Sequence, residues 1–518
     1  MAVSPGDRID MQRDRGPASI DDLFRRAAER APDAWALVDP PDREHFTDSA
    51  PRRLTYAQAE RAIATMAGRL LELGLPAGSI VAFQIPNIVE SVITLLGVVR
   101  AGLIAAPMPL LWRKADAVAA LGGLSPRALV AVRRVGAVDH GEIVMHIAAE
   151  IFSVRFVCGF GTGLADGVIA LDDVFDAGTG AFAPSQRQAI RPEETAVVTF
   201  DVTARGIVAV AHTHAELVAA GDAILAEAAL EQGGAILCLL ATSSFAGLGC
   251  SVMPWLIAGG RLVLHQPFSP ETFAAQLHDE RCETAVLPAA ILPAMQEAGL
   301  LGRASAVRAI LAVWRAPEFL SAAAAWPNSA TACIDVAAFG EAGLVPRRRG
   351  TDGMPAGIPL GQIGSEAAIE IARTATGTLA IRGSMVPGPP PGAIETGEPP
   401  SLKIDAGGFV DTEYPCRLDR ASNALIVSGR ARGTDQRRRL SVRVAGAAGL
   451  DDGARTRRVA RRAARPTGGA SARRRRRGSG ARARGARGTR RQSAPRCGIP
   501  RPPLSRGRWH RSTTRVGR

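Results

Sequence analysis

The sequence predicts an α/β protein that continues into a β-rich region and a basic tail. Short apolar runs alternate with amphipathic segments as far as about residue 350, a pattern typical of βαβ units and largely parallel sheets. From about Gly353 the pattern changes to short strands and turns, and beyond Gln436 arginine, glycine and alanine dominate. We therefore expect two βαβ-type sheet subdomains, a small β-rich subdomain over about residues 353–430, and a tail without a core.

Capping residues predict where several helices begin. Ser19 precedes an amphipathic segment with acids in its first turn. Thr55 and Gln58 have the spacing of a capping box, and the helix that they open carries an apolar stripe and ends near Gly74. Proline at position 270 is typical of a first helical turn. Apolar periodicity predicts the other helices over residues 88–102, 215–229, 249–257 and 270–278.

Continuous apolar runs of strand length predict the buried strands. In the α/β region they are residues 79–85, 103–107, 127–132, 154–158, 196–200, 235–240, 261–265, 285–288 and 307–313. In the β-rich region they are residues 367–372, 377–383, 408–410 and 425–430, with a proline- and glycine-rich loop over 387–400.

The charge of the chain is distributed very unevenly. The 518 residues have a net charge of +14, but 27 arginines and only two acidic residues lie beyond Gln436, so the rest of the chain is acidic. Such a segment buries too little apolar surface to fold, and we expect residues 431–518 to be disordered. One interpretation is a nucleic-acid-binding arm. The favoured one is a reading-frame change near Gln436, because GC-rich DNA read out of frame gives this composition.

The remaining composition indicates a cytoplasmic protein. The seven cysteines show neither C-x-x-C nor metal-ligand spacing, so we expect buried free thiols in a reducing compartment. Residues 1–18 are polar and are expected to be loose, with no apolar signal region. No apolar run reaches membrane-spanning length, so no integral membrane segment is expected.

Residues 200–214 read F-D-V-T-A-R-G-I-V-A-V-A-H-T-H and resemble a nucleotide loop. The loop is that of the acyl-adenylate-forming, or AMP-binding, superfamily, whose pattern is roughly T-S-G-T-T-G-x-P-K-G-V-x-x-T-H. Such loops hold phosphates through backbone N–H groups and short hydroxyls. Here Val202 and Val208 replace a glycine and the lysine, and Asp201 adds an anion. A strand–turn–strand hairpin without a ligand is the alternative.

Further segments extend the resemblance to acyl-CoA synthetases over roughly residues 18–430. In order, they are residues 54–58, 84–91, 98–102, 255–264, 268–271, 357–361 and 377–383. The resemblance implies the fold of the large N-terminal domain of these enzymes for residues 19–430. The tail does not match the family's C-terminal domain.

Candidate site residues follow from the same resemblance. The nucleotide-binding residues that it implies are Thr203, Arg205, Gly206, Phe339, Gly340, Thr412 and Arg430. Phe339 matches the aromatic residue that stacks on adenine, Thr412 lies in the ribose motif, and Arg430 matches an arginine that contacts the ribose. His214 and Phe245 would line the acyl pocket, and Glu341 would hold Mg²⁺. No catalytic residue is assigned.

The resemblance implies an ATP-dependent acyl-CoA ligase that uses ATP, Mg²⁺ and CoA. Its substrate would be a small carboxylic acid, aliphatic or alicyclic, because Ser244 and Phe245 indicate an apolar pocket. The family's C-terminal catalytic lysine has no counterpart, since Lys114 and Lys403 lie in other contexts. A protein that binds an acyl group or nucleotide without turnover is therefore an alternative, and nucleic-acid binding through the tail is another.

Overall fold

The structure is a computed structural model of the whole chain. It describes residues 18–176, 190–203, 206–300, 306–326, 330–363, 368–388, 402, 404–420 and 422–431. The predictions for residues 1–17, for Arg205, for most of the proline-rich loop and for the tail beyond Ala431 lie outside these residues. The α/β class is confirmed, because the described chain forms three large sheets with helices packed between them.

The first sheet has seven strands and is parallel except at one edge. From edge to edge its strands are Gly206–Thr213, Thr195–Thr203, Ile104–Pro107, Ile80–Gln84, Ala128–Val132, Phe156–Phe160 and Ile169–Ala170. Five of the parallel strands follow the predicted apolar runs within one to three residues, and the short strand Ile169–Ala170 was not predicted. The antiparallel edge strand, Gly206–Thr213, belongs to the strand–turn–strand hairpin that the sequence offered as the alternative to a phosphate loop.

The second sheet has eight strands, of which the six central ones are parallel. In order they are Gly343–Arg348, Ala332–Phe339, Ala309–Trp314, Thr284–Pro288, Ala235–Cys238, Arg261–Leu264, Trp35–Val38 and Arg53–Thr55. The two outermost strands pair antiparallel. Both edges were missed from the sequence, because short strands with polar flanks carry little periodicity. The inner strands Trp35–Val38 and Ala332–Phe339 were also not predicted.

The third sheet is antiparallel and confirms the expected β-rich region. Its six strands are Ile358–Pro359, Ala424–Val427, Val410–Asp419, Thr378–Arg382, Ile369–Arg373 and Gly361–Ile363. A small two-stranded hairpin, Arg134–Val135 with Val138–Asp139, stands apart from the three sheets.

Helices cover the faces of the two mainly parallel sheets. They are Ile20–Arg30, Glu44–Thr47, Tyr56–Glu72, Val89–Arg100, Lys114–Leu121, His140–Glu150, His214–Ala228, Phe245–Gly247, Met253–Ala258, Pro270–Asp279 and Leu292–Glu297. A π-helical turn, Leu248–Val252, joins two of them, and 3₁₀ turns are Asp172–Phe175, Ala289–Ile291 and Pro317–Ala322. Of the helices that the structure describes, none has the length and apolar character needed to cross a bilayer.

The predicted caps and thiols are confirmed. Ser19 and Thr55 each accept a hydrogen bond from the third residue of their helices, and Asp22 and Gln58 return a side-chain bond. These reciprocal bonds satisfy N–H groups that the first helical turn leaves unpaired. All six cysteines in the described part of the chain are buried and free.

A buried ionic network joins the two mainly parallel sheets. The Arg43 guanidinium lies 2.5 Å from Asp39, which follows strand Trp35–Val38 of the second sheet, and 2.5 Å from Glu90. Glu90 lies in the first turn of the helix that follows strand Ile80–Gln84 of the first sheet. Arg52 approaches Glu90 at 3.2 Å. Burial, followed by the repulsion of Glu90, raises the pKa of Asp39 to about 6.

Replacing Arg43 by methionine should destabilise the protein by about 3–5 kcal/mol, because it leaves two buried carboxylates without their shared cation. Urea unfolding measures this change. The matched control is Arg308→Met, which removes a guanidinium that is 63% exposed and paired with the exposed Glu231. Its cost should stay below about 1 kcal/mol. Equal costs for the two variants would contradict the role given to Arg43.

Candidate functional site

The segment that resembles a phosphate loop forms an antiparallel β-hairpin. Strand Thr195–Thr203 pairs with strand Gly206–Thr213, and the Thr203 hydroxyl donates to the Gly206 carbonyl at 3.1 Å. Val208, which stands in place of the family's lysine, is buried. The structure therefore has the hairpin geometry named as the alternative, and Thr203 and Gly206 flank its turn.

A tight turn after strand Ala332–Phe339 packs against this hairpin. The Ala342 N–H donates to the Phe339 carbonyl, and Gly340 adopts a left-handed backbone conformation with φ of +59°. A β-carbon at Gly340 would lie 2.2 Å from Oδ2 of Asp201. Glycine is required here both by the backbone angle and by the close approach of the hairpin.

Glu341 is the buried carboxylate of this turn. Its side chain is 2% exposed, its Oε2 accepts from the Phe245 backbone N–H at 2.5 Å, and its Oε1 accepts from Nη2 of Arg315 at 2.9 Å. Burial raises the pKa of Glu341 to about 7, against the opposing effects of Arg315 and the Phe245 N–H. The turn, the helix at Phe245 and the loop at Arg315 thus meet at one carboxylate.

His212 completes a cluster of fully buried side chains around Phe245. The two rings stack with centroids 4.5 Å apart and planes 2° from parallel. Nε2 of His212 lies 2.8 Å from the hydroxyl of Thr199, and Nδ1 has no hydrogen-bond partner in the structure. Burial lowers the pKa of His212 to about 3, so the ring is neutral at physiological pH.

The histidine that meets Phe245 is therefore His212, not the predicted His214. Strand Gly206–Thr213 ends one residue before His214, which begins the following helix. Its side chain points elsewhere, and its Nδ1 accepts from the Ile20 backbone N–H at 3.2 Å. Strand alternation would put both histidines on one face, but it does not apply past the end of the strand.

The predicted adenine and ribose ligands are engaged in packing and hydrogen bonds. Phe339 is buried, with its ring edge-on to Tyr414 at a centroid distance of 5.5 Å. The Thr412 hydroxyl donates to the Leu379 carbonyl at 2.6 Å. Arg430 lies 3.4 Å from Glu318. None of these contacts tests nucleotide binding, so these residues remain predictions.

Comparison with known proteins identifies the family. A sequence profile described as AMP-binding enzyme matches residues 24–339, which is more than half of the chain. The chain belongs to the family of AMP-binding enzymes. The match covers the first sheet, most of the second, the hairpin and the helix at Phe245, and it ends at the strand that precedes Glu341.

Individual relatives of this AMP-binding enzyme are distant in sequence. The medium-chain fatty-acid–CoA ligase of Escherichia coli (strain K12) is 22% identical over 269 residues, 52% of this chain and 45% of that ligase. The chain thus spans about half the length of the curated relative that it matches.

Solved structures share the fold at low identity. A Mycobacterium tuberculosis fatty acyl CoA synthetase has a TM-score of 0.61 at 17% identity, covering 80% of this chain and 78% of that one. The inhibitor-bound N-terminal domain of FACL13 from the same species has a TM-score of 0.59 at 16% identity, covering 79% and 98%. The expected fold of the large N-terminal domain is therefore confirmed.

The residues present do not fit the Mg²⁺ that the family implies. Both oxygens of Glu341 already accept hydrogen bonds from the protein, and Arg315 neutralises the carboxylate. Mg²⁺ prefers exposed oxygen ligands and retains several waters. No cluster of three metal-ligating side chains occurs within the described ranges of this AMP-binding enzyme.

Sequence reasoning missed two residues of the site, Thr199 and Arg315. Arg315 lies two residues beyond the predicted strand 307–313, and the carboxyl end of a parallel strand is where ligands usually bind. That position was a usable signal. Thr199 gave none, because a threonine inside a strand is ordinary.

Thr199→Val should destabilise the protein by about 1–3 kcal/mol, because its hydroxyl is a hydrogen-bond partner of both the buried His212 ring and the Glu341 carboxylate. Thr199→Ser, which keeps the hydroxyl, should lose clearly less. Urea unfolding measures both, with Thr351→Val at an exposed position as the control. A valine variant as stable as the parent would show that the hydrogen bond to His212 contributes nothing.

His214→Gln should make stability less dependent on acid. Burial lowers the pKa of His214 to about 4 from 6.5, so protons bind the unfolded chain preferentially. The contribution of the neutral His214 ring to the free energy of unfolding is fully present above pH 6.5. It falls as the pH drops towards 4, and about 2 kcal/mol of it is lost at pH 5.

Urea unfolding at pH 7 and pH 5 tests this expectation. Glutamine does not titrate but can still accept from Ile20, so the variant should lose less stability on acidification. The control is His278→Gln at an exposed site. Identical losses for parent and His214→Gln would rule out the proposed burial effect.

Proposed function

We propose that this chain is an ATP-dependent acid–CoA ligase. The observation that carries the proposal is the family match over residues 24–339, which includes the hairpin and the helix at Phe245. These elements meet the Glu341 turn at one buried cluster. The hairpin lies at one edge of the first sheet, and the Glu341 turn joins the last two strands at one edge of the second. The carboxyl ends of parallel strands are where α/β proteins usually bind small molecules.

The proposed reaction has two steps. A carboxylate oxygen of the acid attacks the α-phosphorus of ATP, which forms an acyl-adenylate and releases pyrophosphate. The CoA thiolate then attacks the acyl carbon, which forms the thioester and releases AMP. Cationic groups near the phosphates would offset the charge that develops in the first step.

We propose an aliphatic or alicyclic acid as the substrate. Phe245 lies in the helix that borders the Glu341 turn, and buried apolar side chains such as Leu248 and Leu344 surround this helix. The E. coli relative is described as a medium-chain fatty-acid–CoA ligase, which supports an apolar acyl group. Thr203, Gly206, Phe339, Gly340, Thr412 and Arg430 remain the proposed nucleotide contacts.

The proposed organisation follows the sequence. Residues 19–430 would form the AMP-binding-like domain and residues 431–518 a separate tail. A cytoplasmic location is proposed because the reaction needs ATP and CoA and because the described thiols are reduced.

A second candidate function is binding of an acyl group or nucleotide without turnover. Two observations favour it. Val208 is buried where the family places a lysine, and the Glu341 carboxylate is already paired with Arg315. The first removes a cation that would stabilise a phosphoryl transition state, and the second removes a carboxylate that would hold Mg²⁺ there. Nucleic-acid binding through the tail remains a prediction from composition alone.

ATP–pyrophosphate exchange with a panel of acids separates the two candidates. A ligase should show exchange that depends on an apolar acid, roughly tenfold or more above the reaction without acid, since only the adenylation step returns label to ATP. Calorimetry with the same acids and ATP runs in parallel. Binding without exchange would favour the second candidate, and neither binding nor exchange would contradict both.

A further inference from the structure

Arg315 is a partly exposed cation paired with the buried Glu341 carboxylate. It directly follows strand Ala309–Trp314, and its Nη2 donates to Oε1 of Glu341 at 2.9 Å. The Arg315 side chain is 32% exposed, whereas that of Glu341 is 2% exposed. The guanidinium therefore lies on the solvent side of the carboxylate, and a ligand entering the site meets the positive group first.

Most of the hydrogen-bonding capacity of Arg315 remains available. A guanidinium carries five N–H donors in a planar fork that matches the oxygens of a phosphate. Within the part of the chain that the structure describes, Glu341 is the polar partner that it gives to Arg315. The ion pair fixes the direction of the side chain, so less conformational entropy is lost when an anion binds the remaining donors.

The same ion pair accounts for the poor fit of the site to a divalent metal. A metal ion at Glu341 would have to displace Arg315 from Oε1 and the Phe245 N–H from Oε2. Displacement would leave a backbone donor unpaired in the interior, which costs about 1–3 kcal/mol. The charge that a metal would supply beside the carboxylate is supplied here by the protein.

We propose that Arg315 binds the phosphate oxygens of an adenine nucleotide and that this binding requires no divalent metal. Glu341 is the positioning residue that orients the guanidinium. The proposal rests on the proposed function for the identity of the nucleotide. It goes beyond the proposed function because the positive charge that faces the phosphates comes from the Arg315 side chain and not from a divalent metal.

Asp201 opposes anion binding at this place. Its carboxylate lies against Gly340, the residue before Glu341. The negative charge of Asp201 also contributes to raising the pKa of Glu341. An incoming phosphate would be repelled by Asp201 while it is attracted by Arg315. Neutralising Asp201 should therefore tighten binding by about threefold, whereas neutralising Arg315 should weaken it.

Calorimetric titration of the unmodified protein with ATP is the main test, in buffer with excess Mg²⁺ and in buffer with EDTA. Affinity in EDTA should equal or exceed that with Mg²⁺, because metal-free ATP carries more negative charge for the guanidinium. Binding that weakens more than tenfold in EDTA overturns the proposal but leaves the proposed ligase standing. No ATP binding in either buffer overturns both.

Variants identify the residue responsible. Arg315→Gln should weaken ATP binding in EDTA by roughly tenfold or more, and Arg315→Lys should weaken it less, since lysine keeps the charge but not the fork. Asp201→Asn should tighten binding, and Arg308→Gln, remote and exposed, should leave it unchanged. If Arg315→Gln fails to fold, the lysine and asparagine variants still decide. Unchanged affinity in both of them overturns the assignment.

Discussion

The Glu341 carboxylate is the constraint on which the geometry of the site depends. An ionised group that is 2% exposed persists only where hydrogen bonds and an opposite charge replace its water. Phe245 and Arg315 provide these, one from the start of a helix and the other from the end of a strand. The positions of the helix, the strand and the turn are thereby linked. The His212 ring, stacked on Phe245, is held in the same arrangement.

Much of the fold could be predicted, because buried strands and helices require apolar residues at regular spacings, and these spacings are visible in the sequence. The central strands of the first sheet, four inner strands of the second, the cap at Ser19 and the capping box at Thr55 were read correctly. The edges were not, since strands such as Arg53–Thr55 and Gly343–Arg348 are short and partly polar. The helical segment at Phe245 begins four residues before the predicted start at residue 249, because its first turn is small and apolar rather than amphipathic.

The site was harder to predict than the fold, because its contacts join distant parts of the chain. Glu341 meets Phe245 across 96 positions and Arg315 across 26, and no local pattern encodes such pairs. Resemblance did select Glu341 and Phe245, although it gave Glu341 a metal rather than an arginine. It also chose His214 over His212. The fold persists at 16–22% identity to its relatives, so core burial is retained while the polar groups of the site change.

The network of Asp39, Arg43 and Glu90 has a consequence for the ancestry of the protein. Its charges come from elements of both mainly parallel sheets and neutralise one another only where those sheets touch. Replacing either the stretch that carries Asp39 and Arg43 or the helix that carries Glu90 by an unrelated segment would leave buried charges without their partners, at a cost of about 3–5 kcal/mol. Recombination within this stretch would therefore be selected against, and the segment from Asp39 to Glu90 would be inherited as a unit.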